Sequence, residues 1–302
     1  MLKRIVNSLN PNRSLDFGLS PGRRATLACL LEATAPKPGN VHRGADFDDL
    51  SFVDLTTTAV ALGAAIDAAL ARPAHERRVG RIALASVNAM NAICDRNAYL
   101  GTILLLSPLC LIPDGVATTE GVTNVLAELD QTDAADVYEA IRLAKPGGLG
   151  QADQHDVRGA PPDDLLVAMQ AAAERDLVAR QYTNGFAEVL GEVAPCLVDA
   201  RNAGLSTTAA VIHAHVATIA RHGDSLIARK CGPPVSIAAA ARAQQVLDAG
   251  RPGTDDYHSA LADFDFWLRS DGHRRNPGTT ADLIAAALFV LLREDRLPPP
   301  WR

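Results

Sequence analysis

The chain is predicted to be all-α: a single-domain, multi-helix bundle of about ten helices. Three observations lead there. Of its 302 residues, 48% are hydrophobic and only 4% aromatic. Much of that apolar content is Ala and Leu, which favour helices, whereas strands favour β-branched and aromatic side chains. Apolar residues recur three or four apart in most segments, and alternating strand patterns or Asn-Gly and Asp-Gly hairpin turns are almost absent.

The elements follow in order. Ser20-Pro21 is an N-cap with proline at the first helical position, and the helix runs through RRATLACLLEATA to stop before Pro36. Phe52–Leu70 is a long Ala-rich helix ending near Pro73, followed by Glu76–Cys94. The apolar run Ile103–Ile112 reads as a buried core helix, and Thr123–Leu129 and Ala134–Ala144 as short ones. Asp163–Leu190 reads as one long helix, with Leu166, Met169, Ala173, Leu177, Arg180 and Asn184 on the helical period. Ser206 caps Thr207–Arg221, and Val235–Ala249, Asp255–Leu268 and Thr280–Arg293 complete the set. No repeat of fixed period points to a solenoid. Lys145–Pro162 is the best candidate boundary, yet it reads equally as a functional loop inside one domain. We therefore expect one domain over 20–302 behind an N-terminal extension, 1–19.

Charge and cysteines narrow the function classes. The net charge of −6 argues against a dedicated nucleic-acid partner. The longest apolar runs, about a dozen residues, are too short to span a bilayer, and MLKRIVNSLNPNRS lacks the apolar segment of a secretory signal. Five scattered cysteines without CxxC spacing read as reduced thiols of a cytoplasmic protein.

Four polar clusters carry the candidate chemistry. In KPGNVHRGADFDD, the cations Lys37, His42 and Arg43 precede Asp46, Asp48 and Asp49, a mixture suited to phosphate with Mg²⁺ and equally to a solvated loop with local ion pairs. In KPGGLGQADQHD, glycines follow Lys145, and Asp153, His155 and Asp156 could supply metal ligands or a base. A helix C-cap and turn explains the glycines as well. In ERDLVARQY, Asp176 and Arg180 are spaced i,i+4 and would share a face as an ion pair, or Arg180 would reach a phosphate. In RRNPGTTAD, Thr279 or Thr280 caps a helix whose free N–H groups make an anion site beside Arg274 and Arg275, with Asp282 in the first turn. His213 and His215, two apart, point to different helix faces and read as core or polar-face histidines.

These motifs, with Ser51-Phe52, NAYLG at 97–101, PGGLG at 146–150, DSLIARK at 224–230 and NPGTTADL at 276–283, resemble the triphosphoribosyl-dephospho-CoA synthase family in order over roughly residues 20–293. That family is all-α. It transfers the triphosphoribosyl group of ATP to the 2′-hydroxyl of 3′-dephospho-CoA and releases adenine. The resemblance implies ATP and a dephospho-CoA-like small molecule as partners and Mg²⁺ as cofactor, held by some of Asp46, Asp48, Asp153, Asp156 and Asp282. Lys37, Asn40, Arg43, Lys145, Arg180, Arg229, Lys230, Arg275 and Asn276, with Gly278, Thr279 and Thr280 at a helix start, would bind phosphate. His42, Asp46, Asp48 and Asp156 are the candidates for the catalytic groups.

Better-known members carry a histidine and an aspartate in the stretch matching Asp46 and Asp48, a lysine where this chain has Leu100, and an RGG-like stretch at Arg229–Gly232. The form here is similar to a side branch found in methylotrophs, associated with tetrahydromethanopterin-linked one-carbon metabolism. Two alternatives stay open: an enzyme of that cofactor pathway using a related phosphate- or ribosyl-containing substrate, and a non-catalytic nucleotide-binding helical protein. An Ala-rich chain with few charges on some helices is also compatible with a homodimer.

Overall fold

The computed structural model describes residues 18–116, 118–147 and 155–301. Among them are fourteen α-helices: α1 (Pro21–Thr34), α2 (Phe52–Leu70), α3 (Val79–Ile93), α4 (Leu100–Leu109), α5 (Thr118–Ala127), α6 (Gln131–Ala144), α7 (Leu165–Ala172), α8 (Leu177–Asn184), α9 (Ala194–Asn202), α10 (Thr207–His222), α11 (Ser225–Cys231), α12 (Pro233–Asp248), α13 (Asp255–Arg269) and α14 (Gly278–Arg293). A four-residue extended segment, Ser270–His273, links the last two. The expected all-α class holds, with more helices than the ten foreseen. The 1–19 extension falls, apart from Gly18 and Leu19, outside the described residues.

α14 is the axis of the larger core. Every side chain from Leu283 to Leu292 is buried, and α1, α4, α9 and α10 pack around it. Each such aliphatic side chain contributes roughly 1.5–3 kcal/mol on burial. α4 is buried on all sides, as its unbroken apolar run requires. α1 crosses α2 so closely that a Cβ on Gly22 would lie 2.0 Å from the Gly63 carbonyl oxygen, so both glycines are needed for the approach. α2 is long and apolar enough by length and composition to cross a membrane, which the sequence reading missed because Thr56–Thr58 and Asp67 interrupt it. It packs instead between α1 and α3, burying Leu55, Ala59, Leu62 and Ile66. A second core joins α10, α11, α12 and α13 through Val216, Ile219, Ile227, Ala243, Phe264 and Leu268.

Local rules explain most boundaries. Ser20 and Ser206 cap α1 and α10 through their side-chain oxygens. The single helix expected over 163–190 is broken. The chain leaves α7, turns, and restarts α8 with Asp176 as N-cap, accepting from the Val178 and Ala179 N–H groups. Beyond Gly185, in the left-handed region at φ 68°, a π-turn over Val189–Val193 leads into α9. α11 was not foreseen as a helix. Asp224 caps it, accepting from the Leu226 and Ile227 N–H groups.

Candidate active site

A cavity of about 440 Å³ opens where α4, α6, α7, α8, α11 and α14 meet. Its lining is mixed. Leu100, Leu104, Ile141, Leu165, Ala168, Met169, Ala172, Val178 and Ala179 are among its apolar residues. Its polar residues include Arg229 and Lys230 from the last turn of α11, Asn276 just before α14, and Gly278, Thr279 and Asp282 from the first turns of α14. Asp49, Arg96, Lys145, His155, Asp156, Arg175, Asp176 and His273 complete the polar lining.

Asp282 is the most perturbed carboxylate of this lining. Its Oδ1 accepts from the Thr102 N–H (2.8 Å) and the Thr102 hydroxyl (2.6 Å). Its Oδ2 has no hydrogen-bond donor among the described residues and lies against Gly101, where a Cβ would come within 2.1 Å of it. Glycine in NAYLG therefore clears the space for this carboxylate. Burial pushes the Asp282 carboxyl up to about 7, the Thr102 bonds opposing and the Glu32 charge assisting. A carboxylate so poised can exchange a proton near neutrality.

Cations line the same cavity. Arg229 donates to the Asp176 carboxylate across the cavity wall. Burial holds the Lys230 ammonium below its ordinary value, opposed by the nearby Asp49. The Lys230 stem also passes close to Gly147. Asp49 faces Arg96 (3.8 Å) and His273 (3.5 Å).

The structure sorts the residues singled out by sequence. Lys145, Asp156, Arg229, Lys230, Asn276, Gly278, Thr279 and Asp282 come together at the cavity. Asp156 is engaged by Arg158, and Asp153 lies outside the described residues. Thr280 is buried behind the wall: its N–H and hydroxyl both donate to Asp224 Oδ2 at 2.8 Å. Neither threonine caps α14 as expected. Pro277 stands at that position and offers no side-chain acceptor, so the Asp224 carboxylate serves instead.

The rest are elsewhere. Lys37 is fully buried, 2.7 Å from Glu32 and bonded to the Glu32 carbonyl oxygen. Asn40 donates to Asn276 (2.6 Å) and accepts through its own carbonyl from Arg269. His42 closes a tight turn, accepting the Gly44 N–H. Burial, with Arg269 and Lys37, lowers its pKa. Arg43, Asp46 and Asp48 are exposed and off the cavity wall, and Asp46 accepts the Phe52 N–H ahead of α2. Asp176 and Arg180 form no pair, because Asp176 is the α8 cap. Arg180 instead bonds the Ala173 carbonyl oxygen and approaches Glu188. Arg275 lies 4.6 Å over the Trp267 ring and donates to the Trp267 carbonyl oxygen. His215 is buried and His213 approaches the Tyr257 hydroxyl, as expected of core histidines.

Sequence reasoning had not placed Arg96, Thr102 or Arg175 at a site, and had read Asp176 as a partner of Arg180. Asp-Leu-Val at 176 and Asp-Ser-Leu at 224 did carry an N-cap signal.

A helical fold enclosing a cavity of clustered cations and a near-neutral carboxylate is that of an enzyme for anionic small molecules. The model of the ATP:dephospho-CoA triphosphoribosyl transferase family matches residues 19–299, and the chain belongs to that family of transferases. A crystal structure of the Archaeoglobus fulgidus protein assigned as a triphosphoribosyl-dephospho-CoA synthase is similar, with 26% sequence identity and a TM-score of 0.59. The match covers 80% of this chain and 100% of that one. No curated protein matches.

Proposed function

We propose that this chain moves the triphosphoribosyl group of ATP onto a hydroxyl of dephospho-CoA or a related acceptor, releasing adenine. The observation that carries the reading is the placement of Asp282, with one free carboxylate oxygen, in the same cavity as Arg229, Lys230 and Lys145. In the reaction, the ribose C1′–N9 bond of ATP breaks with its electron pair going to N9, a C1′–O bond to the acceptor forms, and the acceptor proton passes by way of Asp282 to the departing base, which leaves as neutral adenine. Bond breaking passes through an oxocarbenium-like state. Arg229, Lys230 and Lys145 hold the triphosphate, and Asp176 keeps Arg229 aimed. The apolar face of α7 and α8 excludes water from the reacting carbon.

No three His, Cys, Asp or Glu groups form a metal cage among the described residues. Mg²⁺ needs no such cage, because it binds through one or two carboxylates plus substrate phosphates. Asp49 would hold it, and it would neutralise triphosphate charge; both Asp156 oxygens already accept from Arg158. Asp46 and Asp48 lie off this wall. Five free thiols fit the cytoplasm, where ATP is supplied. Leu100 lines the cavity where the family resemblance leads one to expect a lysine, which favours an acceptor less anionic there than dephospho-CoA. Incubation with ATP, Mg²⁺ and dephospho-CoA tests the reading. Free adenine with a covalent adduct supports it. Adenine released only with a pterin-type acceptor would reassign the acceptor, and ATP bound without release would make the chain a binding protein.

A further inference from the structure

α14 carries Asp282 but has no cap of its own, and the group that supplies one comes from 56 residues away. Asp224 is fully buried. Its Oδ1 accepts from Leu226 N–H (2.8 Å) and Ile227 N–H (3.0 Å), closing the start of α11. Its Oδ2 accepts from Thr280 N–H and the Thr280 hydroxyl, both at 2.8 Å, closing the start of α14. One carboxylate thus joins the helix that bears Arg229 and Lys230 to the helix that bears Asp282. The Asp224 backbone is itself fixed. Its N–H donates to Ser236 Oγ (2.9 Å), and that hydroxyl donates back to the Asp224 carbonyl oxygen (3.0 Å). Gly223, at φ 67°, precedes it where a Cβ would meet Ser236 Oγ at 2.4 Å. Next in sequence, Ser225 accepts the first N–H of α8 from Leu177 and donates to the Thr279 hydroxyl. Three helix starts therefore meet on two consecutive side chains.

We propose that Asp224 is a positioning residue for the transfer reaction: its shared carboxylate sets the Asp282 carboxylate against the phosphate-binding cations of α11. The inference rests on the function proposed above, because it takes Asp282 as the base. A carboxylate is required here. An amide could cap α11 through its oxygen, but its NH₂ would then face the Thr280 N–H donor. Asp224→Asn therefore releases α14 selectively. A displacement of about 1 Å at a catalytic group costs on the order of 100-fold in rate.

The test uses the full chain and three variants: Asp224→Asn, Thr280→Val and Thr280→Ser. Adenine release gives kcat and KM for ATP, and hydrogen exchange reports on 278–282 against 225–230. For Asp224→Asn, kcat falls by about 30-fold or more while KM for ATP stays within about threefold, since the cations keep their helix. Exchange rises at 278–282 and not at 225–230. Thr280→Val, which deletes one of the two α14 bonds, loses about fivefold in kcat, and Thr280→Ser stays within about twofold. Should Asp224→Asn not fold, the threonine pair decides by the same criterion. An Asp224→Asn protein with a lowered Tm but wild-type kcat overturns the proposal, as does Thr280→Val matching Thr280→Ser. If the wild type releases no adenine, the function above fails and exchange decides this point alone. Selective loosening of 278–282 retains the joint, and uniform or absent loosening overturns it.

Discussion

Two regions of this molecule look equally functional in sequence and differ in the folded chain: the 35–50 loop and the corner where α8, α11 and α14 begin. The loop concentrates cations and carboxylates, yet it turns one of them inward and leaves most of the others in solvent. Lys37 is enclosed against Glu32, Asn40 ties the loop to Asn276, and Arg43, Asp46 and Asp48 face solvent. Only its end, at Phe47, Asp49 and Leu50, reaches the cavity. The corner contains fewer charges, but Asp176, Asp224, Ser225, Thr279 and Thr280 lock three helix starts together, and Asp282, Arg229 and Lys230 project from that lock into one space. Charge density in a sequence marks where a loop needs internal partners as often as where a ligand binds. The geometry proposed for the reaction rests on helices whose first turns are fixed.

The largest effect should separate the two regions. Asp282→Asn removes the proposed base and should lower kcat by at least about 100-fold, with helix content and Tm retained. Gly101→Ala should approach that loss, because its Cβ would displace the Asp282 carboxylate. Steady-state adenine release and circular dichroism read both. Next come the cations. Lys230→Ala and Arg229→Ala should each raise KM for ATP by about 10- to 100-fold, as expected for one charged hydrogen bond. Lys37→Ala should behave in the opposite way. It strands the buried Glu32 charge, so stability falls by about 3–5 kcal/mol in a denaturant titration, while the folded fraction keeps its KM. The smallest effect belongs to Asp46→Asn and Asp48→Asn, each within about 0.5 kcal/mol in stability and about twofold in turnover.

pH sharpens the same contrast. Because the Asp282 carboxyl titrates at about 7, against an ordinary value of 3.8, kcat/KM should rise as pH approaches 7 and the base loses its proton. Stability runs the other way. Between 3.8 and about 7 the folded chain holds a proton that the unfolded chain has released, so this group's contribution is complete below 3.8 and is lost as pH rises to about 7. Asp282→Asn should flatten that slope in thermal melts taken across the window.

Much of the fold was legible because its signals are local. Ser20-Pro21 and Ser206 cap their helices as read, and the apolar stripes of α2, α10 and α14 lie where the period put them. The break before α8 was missed because Ala173, Leu177 and Arg180 keep the helical spacing across it, and only the Asp176 cap reveals the restart. Part of the cavity lining was legible from the same motifs that suggested the family. The joint between Asp224 and Thr280 was not, since no short-range rule pairs residues 56 apart. Nor could spacing show that Lys37 turns inward while Asp49, rather than Asp46 or Asp48, faces the cavity.

The central claim is that transfer chemistry is organised by Asp282 in the cavity and not by the carboxylates of the 35–50 loop. Adenine release from ATP, Mg²⁺ and dephospho-CoA, measured side by side for wild type, Asp282→Asn and the double variant Asp46→Asn/Asp48→Asn, tests it most directly. The account predicts release by wild type and the double variant and none by Asp282→Asn. Release retained by Asp282→Asn and lost by the double variant would contradict it.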